Sequence, residues 1–172
     1  KHYKTGEPMP AELVAKIKKS STFNQGYATT EYVAAALLDM AWHQLPADAP
    51  RQDADAFEAD ALKKYGVAVD EVPPRYRSTY FQHIWSNGYS AGYYAYLWTA
   101  VLAQDAFAWF TEHGGLKREN GQHFEDTVLS RGGTKDAHQL YLDFRGQEPS
   151  VEPYLEKHGL TETAPASAPA KE

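Results

Sequence analysis

Residues 83–98 read HIWSNGYSAGYYAYLW. One histidine and a glycine-bearing turn precede four tyrosines, and the run opens a strongly apolar segment. No Asp, Glu, Lys or Arg occurs between 78 and 104, and half of the chain's 12 tyrosines fall between 76 and 96. A buried phenol needs a partner for its hydroxyl, so this concentration is either a packed helix or the lining of a substrate channel.

The pattern predicts a helix over 89–113, stopped by Gly114-Gly115. Tyr89, Tyr93 and Tyr96, at i, i+4 and i+7, would share one face near its N-terminus. Tyr94, Leu97, Trp98 and Val101 fall on another face and are predicted to be core. Three phenols at the amide end of a helix can donate hydrogen bonds to a carbonyl or to a developing oxyanion. Spacing alone favours the plainer alternative, tyrosines of a packed helix reaching backbone carbonyls or solvent, and both readings stay open at this point. His83 and Gly88 put a polar, flexible turn just before the stripe.

Working outward, Leu13, Val14 and Ile17 mark an amphipathic helix over 11–19. Residues 29–45 predict a second helix, Ala- and Leu-rich and buried on most sides. Asp53 caps a third, with Phe57, Ala61, Leu62 and Tyr65 inward and Gly66 as its stop. Pro73-Pro74 forces an extended segment. A further helix covers 121–130 with Phe124, Val128 and Leu129 inward. Thr134 is expected to cap the next, whose Ala137, Leu140, Tyr141 and Phe144 form a stripe, and Ser150 caps a last one ending at Gly159. Residues 161–172, TETAPASAPAKE, lack apolar periodicity and are expected to be disordered. No strand-period segment exceeds the Val-Ala-Val of 67–69, so the fold class is all-α.

Composition sets outer limits. The chain has 172 residues, 42% hydrophobic and 13% aromatic, which suits one domain with a real core. A net charge of −6 argues against nucleic acid as a partner. Zero cysteines exclude disulfides and thiolate metal sites. Mean hydropathy is −0.61, and His83, Asn87 and several serines interrupt the charge-free run, so it reads as a buried helix rather than a membrane span. The opening KHYKTGEPMP looks like the end of a helix entered partway, so the chain is expected to be part of something longer.

No complete catalytic set can be assembled. Asp39 and His43 stand at i, i+4, but no third ligand lies at suitable spacing, so a hydrogen bond on or between helices is expected rather than a metal. Arg75 and Arg77 flank Tyr76; a substrate carboxylate is one use for them, and a salt bridge to an acidic neighbour is the expected one. There is no His-Glu-x-x-His, no P-loop and no Gly-x-Ser-x-Gly.

Four blocks nonetheless resemble one family: FNQGYATTEYVAAALLDMAWHQL, PPRYRSTYFQHIWSNGYSAGYYAYLWTAVLAQDAFAWF, GGLKRENGQHFEDTVLSRGG and GQEPSVEPYLEKHGL. They look like the C-terminal region of the zinc metallopeptidases that include thimet oligopeptidase and bacterial peptidyl-dipeptidase. The turn, with Tyr89 six positions after His83, is closer to the peptidyl-dipeptidase branch. That resemblance implies residues 1–160 to be the helical, substrate-binding part of a larger enzyme that releases dipeptides from the C-terminus of oligopeptides. It implies one zinc, held by a His-Glu-x-x-His helix and a glutamate on an N-terminal part outside this chain, so that this chain alone is inactive and has that part as its partner. It implies His83 near the scissile peptide, Tyr89 hydrogen-bonding the tetrahedral intermediate and Tyr96 holding the peptide carbonyl. Tyr93 would line the channel and Gly88 the turn. Where relatives often carry a run of glycines, Ser86-Asn87-Gly88 should stiffen that turn. A bacterial cytoplasm or periplasm is equally compatible. The alternative function is a non-catalytic helical domain whose tyrosine face binds a peptide or a protein.

Overall fold

The computed structural model describes residues 1–161; the expected disorder of the tail lies, but for Thr161, outside them. Eight α-helices follow in order: α1 (Ala11–Ser20), α2 (Gln25–His43), α3 (Ala54–Lys64), α4 (Gln82–Ser86), α5 (Ala95–Glu112), α6 (Arg118–Thr127), α7 (Ala137–Arg145) and α8 (Glu152–His158). Short 3-10 turns occupy Ser78–Tyr80 and Leu129–Arg131. The described residues contain no strand, only an isolated bridge between Val69 and Val72, and none of their helices is long and apolar enough to cross a membrane. The fold is all-α. Two compact units divide between Trp98 and Thr99, inside α5.

The first unit is built on α2. Ala34, Ala35 and Leu38 are fully buried along it, and the small alanines leave room for the segment that follows α3. Ala35 and Ala36 meet Phe81, Ile84 and Tyr93, with Tyr32, Trp42 and Tyr76 packed around them. α3 begins as its sequence requires, with the Asp53 carboxylate accepting from the Ala56 N–H at 3.0 Å, and ends before Gly66 at φ 72°.

A buried glutamate fastens α3 to the segment leading into the tyrosine turn. Glu58 accepts from Arg77 Nε, from the Ser78 N–H at 2.8 Å and from its hydroxyl at 2.9 Å. Two indoles close on the same serine: Trp42 donates to Ser78 Oγ at 2.9 Å and Trp85 to its carbonyl at 2.8 Å. The salt bridge expected of this arginine pair is therefore made by Arg77. A buried charge of this kind is tolerable because both of its oxygens find donors.

The second unit centres on Asp105, fully buried on α5. It accepts from the Tyr141 hydroxyl, from Arg145 Nε at 3.1 Å and from the Ser150 N–H at 3.2 Å. Arg145 also forks onto Glu112 at 2.7 and 2.9 Å. Leu140 and Phe144 are buried as the stripe predicts. Three expectations fail here. Val151, not Ser150, occupies the N-cap position of α8, although the Ser150 hydroxyl accepts from the Glu152 N–H at 3.2 Å. Asp136, not Thr134, caps α7, accepting from the His138 N–H, while the Thr134 hydroxyl turns back to the Arg131 carbonyl. Leu129 lies in the 3-10 turn and is 65% exposed rather than inward, because the α-helical phase stops at Thr127.

Candidate functional site

The predicted helix over 89–113 begins later than its periodicity suggests. α5 starts at Ala95, and residues 89–94 form a succession of turns. Backbone bonds run from the Gly92 N–H to the Tyr89 carbonyl (2.9 Å) and from the Ala95 N–H to the Gly92 carbonyl (3.0 Å). Ala91 takes φ 54°, left-handed backbone that costs a residue with a Cβ on the order of 1 kcal/mol.

Asp39 holds that conformation in place. Its two carboxylate oxygens accept separately from the Ala91 N–H and the Tyr93 N–H, each at 2.9 Å. His43 stands 2.8 Å away, one turn along α2. Asp39 is fully buried, so each bond is made where water cannot compete. Tyr32 braces the far side: its hydroxyl donates to the Tyr93 carbonyl at 2.5 Å and accepts from the Leu97 N–H at 3.2 Å. The expected hydrogen bond for Asp39 thus exists, but its partners are backbone amides more than 50 residues away.

Because the turn is not helical, the side-chain faces differ from those expected. Tyr93 is the buried tyrosine, 3% exposed, whereas Tyr94 and Trp98, expected as core, are 52% and 59% exposed. The left-handed step at Ala91 resets the phase, so a count of 100° per residue from Tyr89 misplaces everything beyond it.

Tyr89 and Tyr96 still come together. Their rings stack at 5.2 Å with 23° between planes, and the side-chain hydrogen bond that Tyr96 donates to Tyr89 holds the Tyr96 phenol above its ordinary pKa. Both remain partly open to solvent. His83 sits among the aromatic rings, 5.9 Å from Tyr89, 5.7 Å from Tyr93, 6.5 Å from Tyr96 and 5.2 Å from Tyr76. Burial pushes the Tyr93 phenol up to about 12, with Arg75 opposing the rise. Gly88 adopts φ 78° with open space where a Cβ would point, and the Tyr89 N–H closes the turn on the His83 carbonyl at 3.2 Å. All five expected site residues therefore occupy one patch of the first unit. Asp39, Tyr32 and Ala91 were not foreseen as its supports; the pairing of Asp39 with backbone has no local signature.

The patch can donate hydrogen bonds and carries no assembled nucleophile. Among the described residues no group of three or more His, Asp or Glu could hold a metal ion. Asp39 and His43 do not fit a zinc either, since both Asp39 oxygens are already engaged by the turn.

Comparison with known proteins shows the family of the chain. Residues 1–160 match the model of peptidase family M3. The chain is 51% identical over 160 residues to a dipeptidyl carboxypeptidase of Salmonella typhimurium and 49% identical over 160 residues to one of Escherichia coli, in each case over 93% of this chain and 24% of the relative. It is 41% identical over 160 residues to oligopeptidase A of Escherichia coli, over 92% of this chain and 23% of that protein. The chain spans about a quarter of the length of the curated relatives it matches.

Proposed function

The chain belongs to peptidase family M3, and from that premise we propose that its residues 1–160 form the helical, C-terminal, substrate-binding region of a zinc peptidyl-dipeptidase. Peptidases of this family are in general zinc metallopeptidases. Among the described residues no group of side chains could hold a zinc ion, and the sequence holds no His-Glu-x-x-His. The metal and the water-activating carboxylate belong, on this reading, to an N-terminal part of the same enzyme, which is also this chain's partner. The substrate is an oligopeptide with a free C-terminus, from which a dipeptide is released.

The observation that carries the proposal is the stacked, hydrogen-bonded pair of Tyr89 and Tyr96 beside His83. In peptide hydrolysis negative charge grows on the carbonyl oxygen as a tetrahedral centre forms. Phenol donors already aimed at that oxygen gain strength as the charge develops, and they need no reorganisation. Tyr96, whose pKa is raised by Tyr89, keeps its proton in the shared bond. Tyr89 can then donate outward, polarised by the bond it accepts. His83 adds a third polar group against the peptide, and Tyr93 lines the wall behind. Gly88 allows the tight, left-handed turn that presents Tyr89.

Exposed apolar surface supports the same reading. Leu13, Val14 and Ile17 make the apolar face of α1 yet are 48%, 36% and 56% exposed, and Phe107 on α5 is 56% exposed. Such faces ask for cover from more polypeptide. Leu38 of α2, by contrast, is fully buried. The rival reading, a non-catalytic peptide- or protein-binding domain, needs Tyr89, Tyr93 and Tyr96 exposed together, and burial of Tyr93 weighs against it.

The test is reconstitution. This polypeptide alone should not cleave an N-blocked tripeptide, and should do so once combined with the N-terminal region of the enzyme. Stoichiometric zinc binding and cleavage by the isolated chain would refute the proposal.

A further inference from the structure

The chain has three asparagines, and two of them, Asn87 and Asn120, are followed by glycine. An Asn-Gly pair is chemically unstable in water. The main-chain nitrogen of the glycine can attack the carboxamide carbon of the asparagine, and a glycine has no Cβ to hinder the approach. The two pairs stand in opposite surroundings.

Asn120 is locked. It lies within α6, and its Nδ2 donates to the His113 carbonyl at 3.1 Å and to the Gly115 carbonyl at 2.7 Å. The nitrogen that would attack is engaged too, since the Gly121 N–H donates to the Lys117 carbonyl at 3.1 Å. Ring closure there requires the helix bond and the side-chain bonds to open first.

Asn87 has none of this protection. It is exposed just beyond α4, at φ −115° and ψ 15°. Neither its carboxamide nor the Gly88 N–H makes a hydrogen bond among the described residues. The turn is closed by the next amide instead, from the Tyr89 N–H to the His83 carbonyl at 3.2 Å. Gly88 stands at φ 78° with open space where a Cβ would point. Bringing the Gly88 nitrogen onto the Asn87 side chain therefore breaks no hydrogen bond of either reacting group.

We propose that Asn87 is a site of spontaneous deamidation and that this reaction ages the tyrosine turn. The Gly88 nitrogen bonds to Asn87 Cγ, the carboxamide nitrogen leaves as ammonia with the proton that the Gly88 nitrogen gives up, and a five-membered succinimide remains. Water then opens the ring at either carbonyl. One product is aspartate. The other is isoaspartate, whose main chain runs through the former side chain and is one methylene longer. Either product adds a negative charge two residues before Tyr89, and isoaspartate also lengthens the span that the Tyr89-to-His83 bond closes. The modification itself is independent of the peptidase reading. Its effect on catalysis rests on that reading, because a carboxylate beside Tyr89 opposes the charge that the phenols are proposed to stabilise.

The experiment incubates the complete enzyme in mildly alkaline buffer at physiological temperature and follows both Asn-Gly pairs by peptide mapping and mass spectrometry. Aspartate and isoaspartate should accumulate at position 87, with conversion at position 120 at least about tenfold slower, because that site must first open locally. In denaturant the two should convert at similar rates. Equal rates in the folded enzyme, or protection of Asn87 as complete as that of Asn120, would overturn the assignment. On an N-blocked tripeptide kcat should fall in step with the converted fraction, and Asn87→Gly should keep its starting activity through the same incubation. Conversion with undiminished kcat, or an equal decline in Asn87→Gly, would overturn the ageing role. An enzyme that cleaves no peptide even when fresh would overturn the peptidase reading, while the mapped rates at positions 87 and 120 decide the modification on their own.

Discussion

The ring of Tyr89 lies 5.2 Å from that of Tyr96, nearly parallel to it, with a hydrogen bond between their side chains. Two donors joined in this way do not act independently. Within the proposed enzyme, Tyr89→Phe and Tyr96→Phe should each lower kcat on the order of a hundredfold. The double variant should lose less than the product of the two, because either deletion already breaks the shared bond. Steady-state kinetics on one peptide decide it; a rise in KM with kcat unchanged would make both residues ground-state binders instead.

Asp39 should be worth more to stability than its distance from solvent suggests. Asp39→Asn replaces one acceptor with an amide N–H facing another N–H, and it should cost about 3 kcal/mol by chemical denaturation. Activity of the complete enzyme should fall with it, since the turn carrying Tyr89 loses its hold. A change below about 0.5 kcal/mol would mean that Tyr32 alone suffices.

The left-handed residue at Ala91 predicts opposite responses to two small substitutions. Ala91→Val should destabilise by about 1–2 kcal/mol, because a branched Cβ suits φ 54° poorly. Ala91→Gly should be neutral or mildly stabilising. Equal losses from both would point to packing of the methyl group as the reason for alanine.

Tyr93 gives an alkaline signature. Its phenol is raised from the usual 10 to about 12 by burial, so the folded state favours the protonated form. That contribution is complete below pH 10 and disappears as pH rises through about 12. Stability should therefore decline across this window, with Tyr93→Phe flattening part of the slope. Tyr141, also raised by burial and by its bond to Asp105, should account for more of it.

His138 offers a milder case at neutral pH. Glu148, 2.7 Å from its Nε2, raises the imidazole pKa. The pair's contribution is present below the ordinary histidine value and is lost as pH rises through the folded one. Histidine resonances followed by NMR should show His138 titrating above the usual range, and Glu148→Gln should return it there.

Much of this was legible in the residues. Ala-rich α2, the Asp53 cap, the glycine stops and the Leu140–Phe144 stripe follow from local chemistry, and local chemistry prevailed. The union of Tyr89 with Tyr96 was also anticipated, although through a helical spacing that does not apply, since Tyr89 precedes α5. The inversion of Tyr93 and Tyr94 could not be read, because nothing in Ser90-Ala91-Gly92 announces that the alanine, not the glycine, takes the left-handed step. Asp39 was invisible for a different reason. Its partners are main-chain amides, which every residue but proline possesses and which leave no mark on sequence.

The bonds from Asp39 to Ala91 and Tyr93 span sequence separations of 52 and 54 residues, and that has a consequence for how the molecule forms. Closing so long a loop costs entropy before any contact repays it. Helices such as α2 and α5 can form early from local interactions, but the turn cannot take its shape until α2 has docked against it. The paired phenols are therefore a late product of folding. A nascent or half-folded chain would carry the tyrosines without their paired arrangement, and the proposed competence to stabilise charge would arrive together with the finished core.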